Sequence, residues 1–282
     1  MSADYQLIDS GHGRRLERFG PYTIDRPCTQ ALWSPRKGKN IWKQADAFFE
    51  RINDREGKWH YRNKIPPFWT IGIEDVSLKL SPTPFGHLGI FPEHLGTWSW
   101  LKERLENLEV EQPRILNLFA YTGASTMICA QSGAFVVHLD ASRPVISWAK
   151  ENAQLSKIPK DRIAWVLDDV GKFLAREERR GNTYDGIILD PPTFGRGPKK
   201  ELFKIEENLR GLLSACSRLL NQGAGRFILA SCHTPGITPQ ILANALGDHL
   251  PKSELTTQGE MVNEGEGTCP LPTGIFSHWV ST

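Results

Sequence analysis

The chain has 282 residues, 39% apolar and 23% charged, with a formal net charge of +2, which is ordinary for a soluble globular protein. No apolar run approaches the roughly 18 residues of a membrane span, and Met1–Gln6 lack a basic stretch followed by an apolar one, so neither a span nor a secretory signal is expected. Cys28, Cys129, Cys216, Cys232 and Cys269 are scattered, with no Cys-x-x-Cys pair, which argues against a disulfide framework or structural zinc and for a reducing cytoplasm.

Residues 1–90 read as a small α+β domain. Short runs at Gly20–Asp25, Lys58–Tyr61 and Trp69–Ile73 are bounded by Pro, Gly and Asn and predict strands; Lys43–Asn53 predicts a helix. Residues 1–70 hold 13 Lys/Arg against 8 Asp/Glu, with Trp33, Trp42, Trp59, Tyr61 and Trp69 interleaved. Cations and rings in that mixture suit RNA contact; they also suit a small aromatic core with solvated charges. Leu95–Asn107 predicts an amphipathic helix that opens a second domain over residues 91–282.

From Arg114 onward, strands and helices alternate. Strands are expected at Arg114–Phe119, Phe135–Leu139, Ile163–Leu167, Gly186–Leu189 and Arg226–Ala230. Helices are expected at Ala124–Ser132, Arg143–Leu155, Val170–Arg179, Lys204–Leu220 and Thr238–Leu250, with a terminal pair of strands after Pro251. This order predicts a Rossmann-like, doubly wound α/β sheet, with ligands at the carboxyl ends of its strands.

The candidate ligand residues sit at those ends. Asn117-Leu118-Phe119-Ala120-Tyr121-Thr122-Gly123 runs from the first strand into a turn and a helix. A single glycine there disfavours a dinucleotide, whose pyrophosphate needs Gly-x-Gly-x-x-Gly, but leaves room for S-adenosylmethionine (SAM). Asp140, ending the second strand, can accept both ribose hydroxyls. Asp168 and Asp169 end the third; Asp169 is the preferred acceptor for the adenine amino group and Asp168 the alternative, although either acid can instead cap the next helix. Gly186-Ile187-Ile188-Leu189 then ends in Asp190-Pro191-Pro192-Thr193-Phe194. The prolines stop the strand and stiffen the turn, Asp190 can accept hydrogen bonds, and Phe194 can lie against a planar base.

With these residues, Gly86–Val280 resembles the bacterial SAM-dependent rRNA methyltransferase family that includes large-subunit cytosine-C5 enzymes and a guanine-N7 methyltransferase domain. Gly89-Ile90-Phe91-Pro92-Glu93-His94 is similar to the lead-in to that family's catalytic domain. The resemblance implies a SAM cofactor, an RNA substrate, most of all rRNA, and a cofactor site built from Asn117, Phe119, Tyr121, Thr122, Gly123, Asp140, Asp168, Asp169 and Asp190. It implies catalytic roles for Asp190, Pro191, Pro192 and Phe194. A PUA-type module, which many cytosine-C5 members carry, is not recognisable.

Two chemistries stay open. A guanine nitrogen can attack the methyl group directly, whereas carbon 5 of cytosine needs a cysteine to add at carbon 6. Cys232, after the strand Arg226–Ser231, is the candidate nucleophile, with His233 assisting proton transfer; the alternative is a small buried residue ending a strand. The cationic segment Gly195–Lys200 is expected as a loop that grips phosphates or is merely solvated. The other histidines show no metal-ligand spacing. A methyltransferase acting on a small molecule or protein, and a non-catalytic SAM- or RNA-binding module, are the competing readings.

Overall fold

A computed structural model describes residues 4–53, 56–198, 201–253 and 255–282. The chain divides into two compact units, one formed by Met1–His94 and Val262–Thr273, the other by Leu95–Met261 and Gly274–Thr282.

The first unit is mainly β. Strands β1 (Tyr5–Gly11), β2 (Arg14–Phe19) and β3 (Tyr22–Pro27) form a meander. A long loop and the short helix α1 (Lys39–Lys43) then lead to β4 (Ala47–Arg51) and β5 (Gly57–Tyr61). The five strands lie in the order β1-β2-β3-β4-β5, with β4 parallel to β3, and β6 (Trp69–Ile73) and β7 (Val76–Leu80) make a separate antiparallel pair. The expected helix at Lys43–Asn53 is therefore a strand. Ala47 and Phe49 are buried while Phe48 faces the other way, a period of two, and β4 is hydrogen-bonded on both edges. Two partner strands outweigh the weak local helical preference of this segment.

The second unit begins with α2 (Leu95–Glu106) and continues as β8 (Arg114–Leu118), α3 (Ala124–Gln131), β9 (Phe135–Asp140), α4 (Arg143–Leu155), β10 (Ile163–Leu167), α5 (Val170–Arg180) and β11 (Gly186–Leu189). A small hairpin, β12 (Phe194–Arg196) and β13 (Leu202–Lys204), precedes α6 (Ile205–Leu219), β14 (Phe227–Cys232) and α7 (Pro239–Gly247). The last strands are β15 (Thr257–Asn263) and β16 (Leu271–Val280). The sheet order is β10-β9-β8-β11-β14-β16-β15, parallel from β10 to β14, with β16 antiparallel to β14. This is the doubly wound sheet expected from the alternation.

The order reverses between β8 and β11. The first three parallel strands build outward from β8 in one direction, and β11 and β14 build in the other. Crossover connections leave on opposite faces there, which opens a crevice at the carboxyl ends.

Strand parity sorts the two faces of the sheet. Leu116, Leu118, Val137, Leu139, Ile187, Leu189, Ile228 and Ala230 share one core cluster with residues of α5, α6 and α7. Helix α6 contributes Ile205, Leu209, Leu212, Leu213, Cys216 and Leu219, an apolar stripe at helical spacing. Asn117, His138 and Ser231 alternate with cluster members and so point to the other face. Among the described residues no helix is long and apolar enough to cross a membrane.

Candidate functional site

The turn after β8 is the most strained backbone of the second unit. Phe119, Tyr121 and Gly123 have φ of 54°, 51° and 86°, so three of five consecutive residues lie in the left-handed region. Such a conformation costs of order 1 kcal/mol or more for each non-glycine residue and persists only where the surroundings impose it. They do so here. Tyr121 N–H donates to Asp140 Oδ2 at 3.0 Å, Ala120 N–H to the Leu139 carbonyl at 3.0 Å, and buried Asn152 Nδ2 to the Thr122 carbonyl at 2.8 Å. Asn152, on α4, was not singled out from the sequence, because a polar residue on a helix gives no sign of what it will meet.

Gly123 is packed closely against other parts of the protein. A Cβ there would point at Met127 Cε (2.9 Å), Ala149 Cβ (3.3 Å) and His138 Cε1 (3.3 Å), all protein atoms. The glycine is required by its positive φ and by close packing of the turn against α4 and β9. Asn117 is also in the interior. Its Nδ2 donates to Thr126 Oγ1 at 2.9 Å, which lies 2.9 Å from His138 Nδ1. Burial pushes the His138 imidazole down to about 3, so it stays neutral and joins β8, α3 and β9 beneath the turn. Asn117 therefore supports the site from behind.

The strand-end acids differ in what already holds them. Asp140 accepts Tyr121 N–H and, through Oδ1, Ser142 N–H at 2.8 Å; burial nevertheless raises its carboxyl above the ordinary value, with those bonds opposing. Asp168 takes Arg176 Nη1 at 2.7 Å and Asp169 N–H at 2.8 Å. Asp169 is the N-cap of α5, accepting Lys172 N–H through Oδ1 at 3.0 Å. The capping role considered for this pair thus falls to Asp169, and the ion pair to Asp168.

At β11 the turn Asp190-Pro191-Pro192-Thr193 leads into the hairpin. Ser231 Oγ, at the end of β14, donates to Asp190 Oδ1 at 2.7 Å, and His233 Nε2 lies 3.6 Å from the same oxygen. Thr193 and Thr234 hydroxyls are 2.8 Å apart, which ties the Pro-Pro turn to the segment after β14. Phe194 opens β12 with 53% of its surface exposed. Phe203 of β13 packs on Phe119 with ring centroids 5.1 Å apart, and Lys172 pairs with Glu201, so the hairpin is docked on the strained turn and on α5. Gly195 and Arg196 belong to this hairpin rather than to an irregular loop; Lys199 and Lys200 lie outside the described residues. Ser231 and Phe203 were missed in the sequence, though the parity of Phe-Ile-Leu-Ala-Ser-Cys held the signal for Ser231.

The same parity turns Cys232 toward the core. It shares a face with Ile228 and Ala230, is 1% exposed, and belongs to the core cluster under α6 and α7. Burial pushes its thiol up, the nearby Asp190 charge adds to this, and the Thr234 N–H, 3.3 Å from Sγ, only partly offsets it. A nucleophile needs the thiolate and access. Here burial limits access and disfavours the thiolate, and it places the expected nucleophile on the core side of the sheet.

These residues all lie at the carboxyl ends of adjacent parallel strands: the backbone of Phe119–Gly123 after β8, Asp140 at β9, the Asp168–Asp169 pair after β10, Asp190 after β11 and Ser231 on β14. SAM carries an ammonium, two ribose hydroxyls and an adenine amino group, all hydrogen-bond donors. A line of carboxylates and turn carbonyls at a switch point matches those donors.

Comparisons with known proteins bear on the family and the fold. Residues 29–264 match the family described as S-adenosylmethionine-dependent methyltransferase. The crystal structure of the SAM-dependent methyltransferase from Agrobacterium tumefaciens superposes with a TM-score of 0.94 at 34% identity, covering 100% of this chain and 92% of that one. Ribosomal RNA large subunit methyltransferase K/L of Hahella chejuensis is 35% identical over 51% of this chain, and methyltransferase I of Cronobacter sakazakii is 32% identical over 59%. The chain spans 19% and 43% of the lengths of those two relatives.

Proposed function

This chain belongs to the S-adenosylmethionine-dependent methyltransferase family, and we propose that it moves the methyl group of SAM onto a nitrogen of a base in ribosomal RNA. The observation that carries the reading is Asp190, oriented by Ser231 at 2.7 Å beside the β8–β11 switch point, while the one cysteine near it faces the core. Support for RNA comes from the ribosomal RNA methyltransferases to which the chain is similar. Such a substrate, with five free cysteines, suits the cytoplasm.

Bound SAM supplies a methyl group already activated on a sulfonium. The residues must therefore align an acceptor with it rather than create a strong nucleophile. In this reading Asp140 accepts the ribose hydroxyls and the second oxygen of Asp169 the adenine amino group, since Arg176 neutralises Asp168. The Phe119–Gly123 backbone surrounds the methionine end. Asp190 accepts an N–H of the target base, Pro191 and Pro192 hold that carboxylate and the neighbouring carbonyls rigid, and Phe194 covers the base face. Chemistry at carbon 5 of cytosine would need Cys232 as thiolate, which its burial opposes.

The test is incubation of the protein and of Cys232→Ala with methyl-labelled SAM and unmodified rRNA, followed by digestion to nucleosides. Label in an N-methylated nucleoside, with turnover retained in Cys232→Ala, is expected. Label in 5-methylcytidine and an inactive Cys232→Ala would restore the cysteine as nucleophile. No label in RNA would move the search to proteins and small molecules.

A further inference from the structure

The positive charge of residues 1–70 is localised. Residues 1–70 carry 13 Lys/Arg against 8 Asp/Glu, and residues 36–64 alone carry 9 against 4, so the rest of that span is balanced at 4 and 4. The balanced part is also consumed internally. Arg14 pairs with Asp25 at 2.6 Å, Arg26 with Glu17 at 2.7 Å, and Arg15 with Glu17 at 3.3 Å, all on β2 and β3. The surplus lies at the surface: Arg36, Lys39, Lys43, Lys58, Arg62 and Lys64 are exposed. Two of the four acids in this span are engaged elsewhere. Asp46 accepts Thr23 N–H and Asn63 Nδ2, each at 2.7 Å, and Glu50 pairs with His60 at 2.7 Å.

These cations are contiguous and held in place. Arg62 Nη1 donates to the Ala45 carbonyl at 3.1 Å and its guanidinium lies 4.8 Å from the Phe48 ring centroid, which joins the end of β5 to the segment after α1. His60 stacks on the same ring at 4.5 Å and 6°. The Arg36–Lys43 segment is pinned by one fully buried carboxylate. Asp9 sits at a bulge in β1 and accepts Arg36 N–H (3.1 Å), Lys37 N–H (2.9 Å), Trp42 Nε1 (3.0 Å) and Thr268 Oγ1 (2.8 Å). Like charges crowded on a loop repel one another, and a loop without such an anchor would disperse them. Anchoring by Asp9, the Ala45 carbonyl and the Phe48 ring fixes these cations and so preorganises a polyanion surface.

We propose that this face of the first unit, from Arg36 through α1 to Lys64, binds the phosphate backbone of the RNA substrate. The proposal rests on the RNA reading above. It assigns to these residues register and affinity, and leaves choice of the base to the crevice of the second unit.

The experiment compares the protein with Arg36→Ala/Lys39→Ala/Lys43→Ala and with a charge-matched control, Lys160→Ala/Arg179→Ala/Arg210→Ala, all exposed in the second unit. Binding to an unmodified large-subunit rRNA transcript and to a random RNA of equal length is measured across salt, with SAM affinity as the check on folding and methyl transfer followed in parallel. Loss of three phosphate contacts should lower the log–log salt slope by about 2 and weaken binding about tenfold or more for both RNAs. KM for rRNA should rise with kcat unchanged at saturation. If the protein methylates rRNA yet the triple variant binds like wild type, or the control loses as much, the surface is wrong and the RNA reading stands. If wild type neither binds nor methylates RNA, both fall.

Discussion

Ser231 and Cys232 are neighbours with opposite duties, and the difference is one step of strand parity. Ser231 points to the crevice and fixes Asp190; Cys232 points to the core. A hydrogen bond to a charged group contributes about 1.5–3 kcal/mol. Ser231→Ala should therefore cost roughly tenfold or more in kcat by letting Asp190 turn, with little change in SAM affinity, as steady-state kinetics and calorimetric SAM titration would show. An unchanged kcat would mean that the Pro-Pro turn alone orients the carboxylate. Cys232→Ala removes a buried sulfur and should lower stability by about 1 kcal/mol, read as a fall of a few degrees in Tm, without loss of turnover. Turnover lost at unchanged Tm would contradict the core assignment. The motif Asp190–Phe194 was legible because proline and a strand-end acid announce themselves locally. Ser231 was not, since a serine in an apolar strand looks like filler until its neighbour across the sheet is known.

At the scale of elements, the parallel strands and their helices were read almost to the residue because each has its own period. Arg143–Leu155, Ile163–Leu167 and Gly186–Leu189 occur as expected. The first unit was harder. Its strands are short, and Ala47–Arg51 takes its conformation from β3 and β5 rather than from itself. Asp9 shows how such a unit is held together, because one carboxylate links β1, the Arg36–Lys43 segment and Thr268. Burial alone would raise its carboxyl, but the N–H of Lys37, Thr268, Trp42 and the N–H of Arg36 outweigh this and hold it below the ordinary value. A folded-state pKa below the unfolded one contributes stability above the unfolded value, and that contribution is lost as pH falls through the folded one. Asp9→Asn, which turns an NH₂ toward donors, should destabilise the first unit by about 2–3 kcal/mol at pH 7. Denaturant unfolding at pH 7 and again below pH 4 would check this: the gap between variant and wild type should narrow in acid, and a constant gap would show that the charge is irrelevant.

For the whole molecule the buried His138 and His278 and the half-buried His87 contribute to the response to acid. Burial pushes His138 down to about 3 and His278 to about 4, and burial with the Arg26 and Arg15 charges brings His87 to about 4. Each is depressed from 6.5, so the unfolded chain takes up protons first as pH drops. Stability is full above about 6.5 and declines below it, by up to about 1.4 kcal/mol per pH unit for each histidine. Tm measured from pH 7.5 to 5 should fall steadily, and a flat profile would mean that these imidazoles are hydrated in solution. The sequence by itself determined the doubly wound sheet, its strand-end acids and the cofactor, because period, turn chemistry and chain order are local properties. Which face each residue took, which acids were already paired, and where the surplus cations gathered were decided only by the tertiary structure. Parity, burial and charge pairing depend on neighbours that lie tens or hundreds of positions away in the chain.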